Sequence, residues 1–189
     1  MRQIKAEDRH TDDKKKKQAA SGRKANNRGK SAERVVVRKF QEWWDKDKKY
    51  EWERTPGSGG SPLKEGFDLA GDICTTDCSF VFHVEIKKDQ RFDRIDKFLT
   101  SEKWPVYDFI NQANTDCPEH RTPVLIVMNP GPSQTKYAIF WDKHIVDIEH
   151  AIMYSSTKVK YMKCESYERT LFIIKLDDLL LCDIIKFKN

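Results

Sequence analysis

The chain has 189 residues, 38% of them hydrophobic and 34% charged, which suits one globular domain with a polar extension. Its net charge of +5 is uneven, because residues 1–30 carry +7 and the rest of the chain carries −2. The longest aliphatic run, Val124 to Met128, is far shorter than the ~20 residues that span a membrane, so we expect no membrane-spanning helix.

The cysteines and the first residues bear on the compartment. Five cysteines without a Cys-x-x-Cys motif are typical of reduced thiols rather than of a disulfide framework. Met1 is followed by charged residues and not by an apolar segment, which predicts that there is no secretory signal. We therefore expect a cytoplasmic protein.

Residues 1–28 form a basic arm in the sequence. They contain 10 Lys and Arg and four Asp and Glu, and Ile4 is their only large apolar residue after Met1. Such a segment cannot bury enough apolar surface to fold, so we predict that it is disordered. We interpret its charge as a counter-charge for nucleic acid, the alternative being a solvated tail without a ligand. The folded domain is then predicted to comprise residues 29–189.

The first predicted element of the domain is a helix from Lys30 to Lys46, with Ser31 as its N-cap. Its apolar residues recur at the helical spacing, at Val36, Val37, Phe40, Trp43 and Trp44. Glu33 projects to the same side of the helix, or to its rim. A carboxylate in that position is unusual unless another group binds it.

Strands follow this helix. The sequence predicts a short strand at Tyr50–Arg54, a flexible loop at Thr55–Pro62 and a strand around Asp72–Cys74. The clearest strand is Phe80–Lys87, in which apolar and polar side chains alternate.

The second half of the chain completes the pattern. Residues 90–114 are predicted to form two helical pieces, the second opened by Pro105. Further strands are predicted at residues 123–129, 137–141, 159–162 and 171–174, with a closing helical turn at residues 176–182. This order predicts an α/β fold in which helices flank a mixed β-sheet.

The triplet Glu85-Ile86-Lys87 is the main chemical signal. Glu85 and Lys87 project from one face of a strand, and an antiparallel hairpin would place Asp72 beside Glu85. Two carboxylates make a hard-oxygen site suited to Mg²⁺ or Mn²⁺, and a lysine beside them can orient a water and stabilise charge on a phosphate. Glu33 could complete the site. The alternative is that Glu85 and Lys87 are surface charges on a half-exposed strand.

Four short segments occur in a characteristic order: Arg28–Arg34, Arg54–Gly60, Gly71–Ile73 and Val84–Lys87. With them, residues 29–88 resemble the archaeal-type Holliday junction resolvases and their phage relatives, which belong to the PD-(D/E)xK nucleases. The resemblance implies a restriction-endonuclease-like fold with a bound Mg²⁺ ion, for which Mn²⁺ can substitute. For a phage-encoded protein, the expected compartment is the cytoplasm of the host.

The resemblance also implies roles for particular residues. It implies catalytic roles for Glu33, Asp72, Glu85 and Lys87. Of these, Asp72, Glu85 and Glu33 would bind the metal, and Lys87 would lie beside the attacking water. DNA contacts are implied for Arg54, Ser58, Lys30 and Arg34.

The implied activity is a metal-dependent DNA endonuclease that resolves four-way junctions in recombination and repair. Two symmetric cuts require a C₂ homodimer. The chain extends well beyond a minimal resolvase, which leaves open an endonuclease that acts on other branched, nicked or duplex DNA. A non-catalytic DNA-binding protein is the competing class, although such a protein has no need of acidic residues that face phosphates.

Other residues offer weaker alternatives. Asp68 competes with Asp72 for the first metal position, and we prefer Asp72 because a strand begins at Ile73 and the predicted hairpin is short. A zinc site could combine Cys74, Cys78, Cys117 and His120, although the first two cysteines flank an ordinary turn sequence. His83 shares the face of Glu85. The tryptophans are interpreted as core or dimer surface, with base stacking by Trp52 as the alternative.

The arm gives the first testable prediction. Deletion of residues 1–28 should weaken DNA binding and flatten its dependence on salt by about 0.9 in log–log slope for each phosphate that the arm neutralises. The truncated protein should still cut DNA at low salt, because Asp72, Glu85 and Lys87 lie outside the arm. The measurement is binding across a salt series. Unchanged affinity and slope would show that the arm does not touch DNA, and unfolding would show that it belongs to the fold.

Overall fold

The computed structural model describes residues 30–56, 65–88, 92, 105–128, 135–153, 155, 158–165 and 169–182. The chain divides into two compact units, residues 1–32 and 33–189. Of the first unit, only residues 30–32 are described, and they are helical. The predicted basic arm lies outside the described residues, so its boundary stays a prediction. No helix in the described ranges is long and apolar enough to cross a membrane.

The described chain alternates helices and strands. The helices are α1 (residues 30–44), α2 (Val106–Asp116), α3 (Ile145–Met153) and α4 (Leu176–Leu179). The strands are β1 (Trp52–Arg54), β2 (Asp68–Ala70), β3 (Ile73–Thr75), β4 (Phe82–Lys88), β5 (Thr122–Met128), β6 (Lys136–Trp141), β7 (Tyr161–Glu165) and β8 (Thr170–Lys175).

The strands form two sheets. The larger sheet has five strands in the order β4-β5-β6-β8-β7, and the smaller one has three in the order β1-β3-β2. In the larger sheet β4 and β5 are parallel, whereas every other neighbouring pair is antiparallel. This arrangement confirms the predicted α/β fold with a mixed sheet and helices packed against it.

Helix α1 covers one face of the five-stranded sheet through an aromatic cluster. All five apolar positions predicted for its inner face are buried. Phe40 and Trp43 contact Phe82 of β4, with ring centroids 6.4 and 6.1 Å apart. Trp52 is buried in the same cluster, 4.9 Å from Phe80, so it belongs to the core rather than to a base-stacking surface.

Helix α2 covers the opposite face. Val106, Ile110 and Ala113 are buried against alternate residues of the sheet, among them Leu125 and Val127. Pro105 precedes this helix as predicted. The first predicted helical piece lies outside the described residues except for Phe92, which is buried in this layer.

Helix α3 is an element that the sequence analysis missed. Its buried residues are Ile145, Ile148, Ala151 and Ile152, which recur at the helical period and could have revealed it. The strand predicted at residues 159–162 lies further along, at β7.

The predicted hairpin between Asp72 and Glu85 is wrong. Asp72 is not in a strand but in the tight turn between β2 and β3, and β3 pairs with β1 and β2 instead of β4. The turn reaches β4 through a single parallel bridge between Gly71 and Val84. The physical reason is Gly71, whose φ of +76° reverses the chain within two residues and whose missing Cβ admits the Val84 carbonyl.

Gly71 and Gly66 allow a matched test of this turn. Both have positive φ, but a Cβ on Gly71 would collide with the backbone of Val84, whereas a Cβ on Gly66 meets nothing within 4 Å. Gly66→Ala should lower the free energy of unfolding by about 1 kcal/mol through backbone strain alone. Gly71→Ala should lower it by more than about 3 kcal/mol, because the two backbones must also separate. Urea denaturation measures both, and equal losses would contradict the close approach.

Candidate active site

The candidate site lies at the outer edge of β4, the first strand in the order of the five-stranded sheet. The Asp72 N–H donates to the Val84 carbonyl at 2.7 Å, and the Ile86 N–H donates to Asp72 Oδ2 at 2.7 Å. Two backbone groups of β4 thus fix the turn and its carboxylate. Asp72 therefore lies beside Glu85, as predicted, although by edge contact and not by a hairpin.

Thr55 holds the turn from the other side. Its N–H donates to the Asp72 carbonyl at 2.9 Å, and its hydroxyl donates to the Gly71 carbonyl at 2.6 Å. Sequence reasoning gave Thr55 no role, although it lies within the segment that carries the family resemblance. It fixes the backbone from which the Asp72 side chain projects.

Glu85 and Lys87 form an ion pair on the α2 face of β4. Lys87 Nζ lies 2.5 Å from Glu85 Oε1, and the Glu85 side chain is only 9% exposed. The same ammonium lies 5.2 Å from the centre of the Phe109 ring of α2, a cation–π contact. The alternative of two solvated surface charges is therefore wrong, because β4 is covered on this face.

Glu33 and Arg54 pair with each other. Arg54 Nη1 lies 3.3 Å from Glu33 Oε2, with both side chains about a quarter exposed. Arg54 also donates to the Thr55 carbonyl at 3.1 Å. Glu33 thus lies at the rim of the helix, as predicted, and the group that binds it is the arginine predicted to contact DNA.

The electrostatics of Asp72 connect these carboxylates. Burial, followed by the charge of Glu85 and then that of Glu33, raises the pKa of Asp72 to about 6, although the Ile86 N–H and Lys87 act in the opposite direction. Asp72 is therefore repelled by both Glu85 and Glu33 in a partly dehydrated site. A bound cation would relieve that repulsion, and oxygen donors of this kind suit Mg²⁺ or Mn²⁺.

The donor set fits a metal that keeps part of its hydration shell. In the ranges that the structure describes, no three His, Cys, Asp or Glu side chains are arranged as a metal cluster. Glu33 is paired with Arg54, and the carboxylate of Asp72 is held on the backbone of β4 next to Glu85. Two carboxylates suffice for Mg²⁺, which usually retains waters and takes further oxygens from a substrate phosphate.

The other residues predicted to bind DNA are Arg34, Lys30 and Ser58. Arg34 is exposed on α1, and Lys30 is the first described residue of that helix. Ser58 lies outside the described residues, so its predicted contact with DNA stays a prediction.

Asp68, the competitor of Asp72, is engaged elsewhere. Arg121 donates through Nη2 to its carboxylate and through Nη1 to the Leu69 carbonyl. The Arg121 side chain is only 1% exposed, whereas that of Asp68 is 48% exposed. This buried arginine ties β2 to the start of β5, so Asp68 neutralises it and stabilises the packing of the two sheets.

The remaining candidates do not form a second site in the described residues. Cys74 is buried and Cys78 is exposed, neither forms a disulfide, and no metal cluster in the described residues includes them. His83 is buried on the face of Glu85, and neither of its ring nitrogens has a hydrogen-bond partner in the described part of the chain. Burial and the charge of Arg121 lower the pKa of His83, which favours its neutral form.

Comparison with known proteins gives one match. A family model described as "Phage putative PDDEXK endonuclease" matches residues 24–189. The matched region contains Glu33, Asp72, Glu85 and Lys87 together with every described helix and strand. No curated protein and no solved structure matches the chain.

Asp72→Asn should stabilise the protein in a metal chelator at pH 7.5. Because the folded-state pKa of Asp72, about 6, lies above the unfolded value of 3.8, the folded protein binds the extra proton between these values. Its stability therefore falls as the pH rises from about 4 to about 6, by up to about 3 kcal/mol. Asparagine removes that penalty, so Asp72→Asn should be more stable than the wild-type protein at pH 7.5 and equally stable near pH 3.5.

Asp68→Asn is the matched control. It should lower the melting temperature at pH 7.5, because it removes the countercharge of a buried arginine. Thermal denaturation of both variants across pH measures the two effects. A loss of stability in Asp72→Asn as large as that in Asp68→Asn would contradict the electrostatic account of the site.

Proposed function

The chain belongs to the phage PD-(D/E)xK endonuclease family, and on that premise we propose that Asp72, Glu85 and Lys87 form the reactive centre of a DNA endonuclease. The family implies a restriction-endonuclease-like fold, a nuclease activity and a DNA substrate. The observation that supports the proposed centre is the meeting of Asp72 and Glu85 at the edge of β4, with Lys87 in contact with Glu85.

PD-(D/E)xK nucleases generally use divalent metal ions, and we propose Mg²⁺ for this protein, with Mn²⁺ as a substitute. Asp72 and Glu85 would hold the ion, and Glu33 would complete the acidic site. When bound, the ion supplies Lewis-acid polarisation of the scissile phosphate. The raised pKa of Asp72 and the oxygen-only donor set support this assignment.

The protein side chains then have distinct tasks in phosphodiester hydrolysis. A water attacks phosphorus and loses a proton, the bond from phosphorus to the 3′ oxygen breaks, and the 3′ oxygen takes up a proton, which leaves a 5′-phosphate and a 3′-hydroxyl. The Lys87 ammonium orients the water and balances the charge that develops on the phosphoryl oxygens. Phe109 and Glu85 restrict the positions that this ammonium can occupy. Arg54, released from Glu33, would contact the phosphate.

We propose a four-way DNA junction as the substrate. Support comes from the four segments around Glu33, Arg54, Asp72 and Glu85, because their sequences and their order along the chain resemble those of junction resolvases. Such a reaction makes two symmetric cuts, so the active form would be a homodimer. The proposed setting is recombination or repair of DNA in the cytoplasm of a phage-infected host.

Cleavage by matched variants tests the centre. Glu85→Gln and Lys87→Met should lower the rate of cleavage in Mg²⁺ by at least about a hundredfold, because the first removes the charge of a proposed metal ligand and the second removes the cation that faces the reacting phosphate. Both should still bind DNA in Ca²⁺, which is expected to support binding with little turnover. Glu149 and Lys163 form a similar pair, 3.0 Å apart, on α3 and β7, so Glu149→Gln and Lys163→Met should leave cleavage unchanged.

The same cleavage assay tests the reactive centre, the metal and the DNA substrate separately. Wild-type cleavage by Glu85→Gln would overturn the assignment of this centre, and full activity in excess chelator would overturn the role of a metal. Rates are compared on a four-way junction, a nicked duplex and an intact duplex of the same sequence. Equal rates on all three would overturn junction specificity and leave a general endonuclease.

A further inference from the structure

Three lysines converge at the end of β4, on the face opposite to the candidate active site. Lys88 is the last residue of β4 and pairs with Met128 of β5. Met128 in turn pairs with Lys136, the first residue of β6. Residues aligned across neighbouring strands project from the same face, so Lys88 and Lys136 point the same way. That face is the one covered by α1, because Phe82, Val84, Ile86 and Lys88 alternate with Glu85 and Lys87.

The third lysine comes from α1. Lys39 Nζ lies 2.6 Å from Asp177 Oδ1 on α4, and α4 packs on β6. Lys39 is therefore held over the end of the sheet at which β6 begins. We name Lys39, Lys88 and Lys136 the lysine cluster.

Electrostatics indicate that the charges of Lys39 and Lys88 act on the ammonium group of Lys136. Burial lowers the pKa of Lys136, and the charges of Lys39 and Lys88 lower it further, while Asp177 acts in the opposite direction. Like charges held together in a partly buried place are unfavourable in the free protein. An anion bound among them would remove that penalty, as a cation would between Asp72 and Glu85.

The lysine cluster and the candidate active site flank the same strand end. Lys87 and Lys88 are consecutive residues that project to opposite faces of β4. Lys88 is exposed, so it is within reach of a DNA strand that has one phosphate beside Lys87. Lys88 and Lys136 stand about 10 Å apart at the backbone, two strand spacings, which two extended lysine side chains can close around a shared anion.

We propose that Lys39, Lys88 and Lys136 bind one phosphate of the DNA backbone, adjacent to the phosphate that is cut. The inference rests on the proposed function, because it takes DNA as the substrate at β4. It adds a second anchor on the α1 face, which fixes the direction in which the strand crosses the end of β4. Lysine suits this task, since a flexible point charge needs no fixed geometry at the phosphate.

Binding measurements on the full-length protein in chelator test the proposal without cleavage. Lys88→Gln and Lys136→Gln should each weaken binding to a DNA duplex by about fivefold and reduce the log–log salt slope by up to about 0.9. The double variant should lose less than the product of the two single losses, because both lysines serve one phosphate. The matched control is Lys158→Gln with Lys160→Gln, which removes two exposed lysines before β7 and should change neither quantity.

Chemical footprinting gives a second readout. Bound DNA should slow acetylation of Lys136 relative to acetylation of Lys158, as measured by mass spectrometry of the wild-type protein. Unchanged affinity and salt slope in the double variant, or equal losses in the control, would overturn the lysine cluster as a phosphate site. A protein that cleaves DNA but gives either result refutes this inference alone. A protein that binds DNA through the lysine cluster but never cleaves it would refute the proposed function and leave the lysine cluster as a DNA-phosphate site without a cut beside it.

Discussion

The contact on which the rest of the site depends is the docking of the Gly71–Asp72 turn on the edge of β4. Two hydrogen bonds, both 2.7 Å long, join Asp72 to β4: its N–H donates to the Val84 carbonyl, and its Oδ2 accepts from the Ile86 N–H. They connect the small sheet to the large one and place one carboxylate beside another. A side chain at position 71 would separate the two backbones, so a single glycine governs whether the acids meet. Thr55 closes the turn from the far side, which leaves the Asp72 carboxylate little freedom.

This docking makes the free protein electrostatically unfavourable at the very place where chemistry is proposed. In addition to burial, Glu85 and Glu33 raise the pKa of Asp72 at the edge of β4, and Lys39 and Lys88 lower the pKa of Lys136 near the end of the same strand. Burial strengthens both effects, because charges interact more strongly away from water. A strand end with carboxylates at its edge and lysines on one face is complementary to a cation and a phosphate together. Neither ligand alone would relieve both repulsions.

Local sequence patterns predict helix α1 and the faces of strand β4, but they do not predict the contacts between distant parts of the chain. The spacing of Phe40 and Trp43 predicts α1, and the alternation along β4 correctly places Glu85 and Lys87 on one face. The contact of the Asp72 turn with β4 is a parallel bridge of one residue, which leaves no periodic pattern in the sequence. The sequence therefore suggested a hairpin instead. The pairing of Asp68 with Arg121 joins residues 53 positions apart, which no local pattern specifies. The lysine cluster combines residues of α1, β4 and β6, which are distant in the sequence. Only the register of the strands shows that these lysines lie close together.

Under the proposed function, the ion pairs of the free site also explain why it can stay folded without ligands. Glu85 has Lys87, Glu33 has Arg54, and Asp72 has the Ile86 N–H, so each acid holds a partner of its own. A metal ion would take over the carboxylates, and the phosphate would take over the freed Lys87 and Arg54. Every charge would then exchange one partner for another. A buried charge without a partner is costly in a dehydrated site, and this exchange would avoid it. Metal and phosphate binding are coupled by this exchange, because each ligand frees the groups that the other requires.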